Sequence, residues 1–193
     1  SSVSSSLLLV LKNLGSQIRE AFEKRAEEKK IAKLFLSEIE ENLSRSKDLA
    51  ENLLQSIQSG SNSFTIVEPL RFPVSDLLYS KVILLTERYG GSSQENLKLM
   101  RSLRYLDSVQ EDYRRKNTPG MRWSTHPNVT FHPIIDSIYT IALQEAQTVK
   151  ASMERAIAGS MFWQSIENKR TLKIVSLLVL CLTLTVLPSS DLE

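Results

Sequence analysis

The sequence has little of what metal or covalent chemistry requires. It contains one cysteine, Cys181, which excludes an internal disulfide framework and any multi-cysteine metal site. Its two histidines, His126 and His132, stand in a segment with no cysteine or carboxylate to complete a set of three or four ligands. Glycine-rich phosphate loops, nucleophile elbows and His-Glu-x-x-His zinc patterns are also absent. We therefore predict no enzymatic activity, no metal and no cofactor.

An excess of charge of one sign is lacking as well. The 24 basic and 22 acidic residues leave a net charge of +2, which is too small to indicate a nucleic acid as a general partner. Hydrophobic residues make up 41% of the chain, which is enough to bury a core and too many for a disordered tail. Because a domain averages about 150 residues, we expect one main domain.

Proline is scarce, and its distribution indicates long helices. The six prolines leave the stretches 1–68, 74–118 and 134–187 free of proline. A proline inside a helix costs about 3 kcal/mol, so such stretches are typical of helices. Apolar residues in them recur mostly every three or four positions, which is the spacing of an amphipathic helix. The sequence therefore predicts an all-α protein: an up-down four-helix bundle with two long overhanging helices that form a stalk, followed by a C-terminal apolar helix.

End signals place the four helices and the domains. Ser92 and Glu95, three residues apart, form a capping-box pattern at the start of the third helix. Gly60 and Gly90 suit the position just past a helix end. The charged run Glu23–Lys30 is expected to be a solvated helix face. The predicted helices A to D span about 16–59, 74–89, 92–115 and, after a loop at 117–133, from about 134 onwards. The predicted domains are a leader at 1–15, the bundle with its stalk at 16–170, and a hydrophobic helix at 171–190.

The segment 174–190 carries no charge and is the strongest single signal in the chain. Its ten Ile, Leu and Val residues favour insertion into a bilayer by roughly 3 to 6 kcal/mol. Its length of about 25 Å falls short of the roughly 30 Å hydrocarbon thickness, a gap that snorkelling by Arg170 and Lys173 can close. We predict a membrane segment. Its main apolar residues are Ile174, Val175, Leu177, Leu178, Leu180, Leu182, Leu184 and Leu187.

The flanking charges predict an orientation. Lys169, Arg170 and Lys173 precede the segment, whereas Asp191 and Glu193 follow it. The positive-inside rule then places the bundle in the cytoplasm. An alternative is a soluble bundle in which 174–187 is the central core helix, released into lipid as in a conditional pore former. An apolar run of about 14 residues is also typical of such a core helix.

A basic surface is the candidate site for an anionic partner. Seven basic and three acidic residues lie between positions 98 and 122, a local net charge of +4. This excess suits contact with lipid headgroups, phosphates or an acidic protein, and it is also typical of a solvated helix face. The basic residues are Lys98, Arg101, Arg104, Arg114, Arg115, Lys116 and Arg122.

Two resemblances to known families supply further alternatives. Arg122 and His126, separated by three residues, resemble the Arg-spacer-His signature of HEPN-type helical ribonucleases, although the spacer is shorter than that family's usual one; this resemblance implies RNA cleavage. The heptad spacing of helix D, with Gln144 or Gln147 as a polar layer and an apolar tail behind it, resembles SNARE fusion proteins. The leading hypothesis is a non-enzymatic, membrane-associated bundle that acts as a scaffold, adaptor or sensor. Its expected partners are the membrane and a protein or second copy, with no nucleic acid.

Overall fold

The computed structural model of the chain describes residues 2–59, 68–116, 128–167 and 175–180. Within these ranges it is a helical bundle without strands, in which two long helices pack with a third. This confirms the all-α prediction. The helices are α1 (Ser2–Ser59), α2 (Pro73–Leu77), α3 (Tyr79–Arg88), α4 (Ser93–Lys116), α5 (Asn128–Ala158) and α6 (Met161–Glu167), and residues 175–180 are also helical. The end predicted at Gly60 and the loop residues 117–127 lie outside the described residues.

The chain divides into two compact units, Ser1–Ile157 and Ala158–Glu193. The core of the first unit is formed mainly by large apolar side chains of α1, α4 and α5, among them Phe35, Leu103 and Met153. The buried apolar side chains of α5 recur every three or four residues from Ala142 to Ala156, as its near-heptad spacing predicts.

The helix α1 begins at Ser2, so the predicted leader is part of it. The sequence has no proline before position 69, and Gly15 is the only glycine before Gly60. One glycine inside a helix costs about 1 kcal/mol, which a long helix tolerates. From Ser6 to Lys24, every side chain of α1 is exposed. We refer to residues 6–24 as the α1 extension.

The helix α5 does not form the second overhang of the predicted stalk. It ends at Ala158, where Gly159 takes a positive φ of 80°. Glycine adopts this left-handed conformation at little cost and therefore commonly ends helices. The first compact unit ends at Ile157, next to this helix end.

Two other helix ends follow the signals in the sequence. Gly90 has a φ of 81° just beyond α3. At the start of α4, the Gln94 amide donates to Ser92 Oγ at 3.1 Å, and the Ser92 amide donates to Glu95 Oε2 at 3.1 Å. These two bonds are the capping box, and they confirm the predicted start of the third helix.

The predicted second helix is divided into α2 and α3 by a bend at Leu78. Glu38 of α1 is buried beside the first turn of α2 and accepts hydrogen bonds from the amides of Val74 at 2.6 Å and Ser75 at 3.1 Å. The first amides of a helix have no partner within it, and a carboxylate there also interacts favourably with the helix dipole. Glu38 thus caps α2 from a distant part of the chain.

The segment before α2, residues 68–72, is fixed by side chains of α1 and α4. Asn42 donates through Nδ2 to the Arg71 carbonyl at 2.8 Å and accepts through Oδ1 from the Arg71 amide at 3.0 Å. Asp107 of α4 accepts from the Leu70 amide at 3.0 Å. This segment is therefore attached to the bundle through its own backbone groups.

We predict that Asn42→Ala lowers the free energy of unfolding by about 2–4 kcal/mol, because it leaves the amide and carbonyl of Arg71 without their side-chain partner. Asn42 is only 1% exposed, so water cannot replace it without rearrangement. Urea denaturation measures the change. Asn13→Ala, on the exposed face of α1, is the matched control and should change stability by less than about 0.5 kcal/mol. Equal effects of the two substitutions would contradict this role of Asn42.

Candidate functional site: exposed apolar and charged surfaces

The boundary between the covered and exposed parts of α1 lies at Arg25. This side chain is only 4% exposed, and its guanidinium donates through Nη1 to the Ala156 carbonyl at 2.6 Å and through Nη2 to the Ile157 carbonyl at 2.8 Å. The last carbonyls of a helix lack partners within it, and a cation near them is favourable. Arg25 therefore caps α5, and the prediction that the whole run Glu23–Lys30 is solvated is wrong at this position.

A charged groove lies between α1 and α3 beside this boundary. It has a volume of about 230 Å³, and Ile31, Leu84 and Leu85 form its apolar lining. Two ion pairs cross it, Glu27 with Lys81 and Glu28 with Arg88. The hydrogen bond and the charge of Lys81 hold the pKa of Glu27 below its ordinary value. The two ion pairs join α1 to α3, and Lys24, which also lines the groove, leaves it with a single net positive charge.

The α1 extension presents a long apolar surface. Leu7, Leu11, Leu14 and Ile18 recur every three or four residues along it and are between 41% and 52% exposed. The charged residues of the extension lie on its other faces from Lys12 onwards, whereas Leu8, Leu9 and Val10, each more than 60% exposed, leave the first described turns apolar on all sides. A contiguous exposed apolar surface on a helix is a candidate interaction site.

The second apolar surface is the described part of the predicted membrane segment. Val175, Leu177, Leu178 and Leu180 are between 43% and 64% exposed. The other residues of that prediction, Ile174, Leu182, Leu184 and Leu187, lie outside the described residues.

Among the residues that the structure describes, no helix is long and apolar enough to cross a membrane.

The predicted basic patch is only partly visible. Lys98 Nζ lies 3.7 Å from Glu145 Oε1. Arg104 forms an ion pair with Asp76, and its guanidinium carbon lies 4.6 Å from the centre of the Phe72 ring. Arg101 is exposed on the same helix. Two of these three cations are thus engaged within the bundle. The side chains of Arg114, Arg115, Lys116 and Arg122 lie outside the described part of the chain.

Of the residues behind the two family resemblances, Arg122 lies outside the described residues. His126 lies outside the described residues, and His132 belongs to α5, which begins six residues before the predicted start, although its side chain is not described. Gln144 and Gln147 are both exposed, whereas the buried face of α5 runs through Ala142, Ala146 and Val149. Over the described ranges, no group of His, Cys, Asp and Glu side chains is placed to hold a metal ion.

No protein-family model, curated protein or solved structure matches this chain. The exposed surfaces of the molecule are therefore the basis for a functional proposal.

We predict that Arg25→Ala lowers the free energy of unfolding by about 1.5–3 kcal/mol, because hydrogen bonds from a charged donor to the α5 carbonyls are lost in a buried site. Arg19→Ala is the matched control: Arg19 is exposed and pairs only with Glu23 at 3.6 Å, so its removal should cost less than about 0.5 kcal/mol. Thermal unfolding of the two variants measures the difference. A loss at Arg25 no larger than at Arg19 would contradict the capping role.

We also predict that Lys81→Met raises the pKa of Glu27 towards its ordinary value of 4.5. A carboxyl whose pKa is lowered by folding stabilises the protein above its unfolded pKa, and this stability is lost as the pH falls through the lowered value. The free energy of unfolding of Lys81→Met should therefore fall less steeply as the pH drops below about 4.5, because the contribution of the Glu27–Lys81 pair is already absent. NMR titration of the Glu27 carboxyl carbon measures the pKa, with Lys81→Arg as the control that keeps the charge. An unchanged pKa in Lys81→Met would contradict the pairing.

Proposed function

We propose that this protein is a non-enzymatic, membrane-associated helical bundle that acts through protein contacts as a scaffold, adaptor or sensor. The observation that carries the proposal is the exposure of Val175, Leu177, Leu178 and Leu180 within a run that has no charge from 174 to 190. Apolar surface in water is unfavourable by about 25 cal/mol per Å². Such a run therefore favours transfer into lipid.

The core of the bundle supports the same proposal. All described buried apolar side chains lie between Ile31 and Ala156. The bundle thus has a core of its own, formed by α1, α4, α5 and the segments between them, before the apolar run begins. This favours a membrane segment over the alternative in which 174–187 is the central helix of a soluble bundle and a conditional pore former.

Charge gives the proposed orientation. Lys169, Arg170 and Lys173 precede the apolar run and carry the positive charge that is retained on the cytoplasmic side. The bundle would then face the cytoplasm, where the exposed Arg101 would be available to anionic lipid headgroups or an acidic protein. The exposure of Gln144 and Gln147 does not favour a SNARE-like polar layer, and the HEPN-like ribonuclease remains a prediction without support from a described site.

We expect the intact chain to partition into the detergent phase in a cloud-point assay, and Leu178→Arg to weaken this partitioning. An arginine near the centre of an inserted helix is less favourable than a leucine by about 3–4 kcal/mol, or more than 100-fold. Gln164→Arg, at an exposed position before the segment, is the matched control and should partition as the intact chain does.

A chain that ends at Lys169 completes the experiment. It should remain in the aqueous phase and unfold with the same midpoint as the intact chain. Loss of cooperative unfolding in the shortened chain would identify the segment as a core helix and would overturn the proposal. Partitioning of the intact chain into the aqueous phase would overturn it as well.

A further inference from the structure

A single heptad seam runs along α1 from Leu7 to Leu49 with alternating steps of three and four residues. In the part that the bundle covers, every seam position is buried except Glu28, which is half-buried. The covered positions are Arg25, Glu28, Ala32, Phe35, Ile39, Asn42, Ser46 and Leu49, and the positions in the α1 extension are Leu7, Leu11, Leu14, Ile18 and Ala21. The seam thus continues unbroken from a covered interface onto an exposed helix.

The exposed half of the seam is more apolar than the covered half. The covered half contains an arginine, a glutamate, an asparagine and a serine, whereas all five positions of the extension are apolar. Of the five charged residues in the extension, Lys12, Arg19, Glu20 and Glu23 occupy the outer heptad positions, and Lys24 flanks the seam beside Arg25. Leu8, Leu9 and Val10 add exposed apolar surface outside the seam at its start. A seam of this kind is typical of a helix that pairs with another helix.

The spacing favours a helix over a lipid surface as the partner. A strict seven-residue repeat keeps one seam turned towards a partner helix, a requirement that a bilayer does not impose. Helices that lie in a membrane interface carry a polar face rich in Lys and Arg, whereas the α1 extension has three basic and two acidic residues.

The direction of α5 determines which partner orientation fits. Arg25 contacts the carbonyls of Ala156 and Ile157, and Glu40 pairs with Lys150 at 2.9 Å, so α5 runs antiparallel to α1 and ends at Arg25. From Arg25 towards the C-terminal end of α1, the bundle occupies the seam face. If a second α1 extension paired in parallel orientation, the bundles of both copies would lie at the same end of the pair and would compete for the space between the two seams. An antiparallel extension instead continues the line of α5.

We propose that the α1 extension pairs in antiparallel orientation with the α1 extension of a second copy of this chain. With the seams in register, Leu7 lies opposite Ile18 of the partner subunit, and Leu11 lies opposite Leu14 of the partner subunit. The two-fold symmetry repeats both contacts and gives four apolar layers with no charged residue in any of them. At Gly15, a Cβ atom would meet nothing within 4 Å, so the surface beside the layers is open to a neighbouring helix.

The mass of the intact chain in mild detergent, measured by sedimentation equilibrium, tests the pairing. We expect a dimer, and we expect Leu14→Glu to raise its dissociation constant about 100-fold or more, because one buried leucine is lost from each subunit. Leu9→Glu is the matched control: Leu9 is 63% exposed but lies at an outer heptad position, so the dimer should be unaffected. A monomer at all concentrations would overturn the proposal. Equal weakening by both variants would indicate that the extension binds detergent or lipid, and would also overturn it.

Disulfide cross-linking tests the orientation in a Cys181→Ser background. Leu7→Cys mixed with Ile18→Cys should give a cross-linked dimer on mild oxidation, because opposed seam positions lie within disulfide reach in the antiparallel pair. Leu7→Cys alone should not cross-link. Cross-linking of Leu7→Cys alone would indicate a parallel pair and would overturn the antiparallel proposal. This experiment does not involve the C-terminal segment, so its outcome is separate from that of membrane partitioning.

Discussion

The rest of the bundle depends on the covered half of the α1 seam. The helices α2, α3 and α4 each pack against α1, and Arg25 of α1 caps α5. The exchange of water for packed apolar surface along this seam supplies the main driving force for folding. Because α1 is one uninterrupted helix, the same seam fixes the position along the α1 axis at which each of the shorter helices packs.

Polar side chains at the interface of α1 determine where along the helix axis the segment 68–77 packs. Glu38 and Asn42 bond to backbone groups 29 to 37 residues away in the sequence, at Arg71, Val74 and Ser75. A buried polar group is costly unless its hydrogen bonds are made, so a shift of α1 by one turn would leave these groups unsatisfied. We infer that apolar burial supplies the stability and that these polar contacts select one register for residues 68–77.

The sequence was sufficient for features that depend on local chemistry and insufficient for those that depend on distant contacts. The capping box at Ser92 and the helix end at Gly90 are local, and both were predictable. Two glycines show where local sequence is not sufficient to predict a helix end. The helix α1 continues through Gly15, whereas α5 ends just before Gly159, beside carbonyls that Arg25 caps. Likewise, the heptad spacing of Leu7 to Ile18 is visible in the sequence, but only the length of α5 shows which half of the seam is covered.

The two exposed apolar surfaces differ in shape, and the difference separates their proposed partners. The α1 extension beyond Leu11 is apolar on one side and charged on the others, which suits a helix that approaches from one direction. The run after Lys173 has no polar face, so only surroundings that are apolar on all sides can cover it. Neither surface supplies a buried residue to the core between Ile31 and Ala156. The stability of the bundle therefore does not explain their apolar residues, which is why we propose an interaction outside it for each surface.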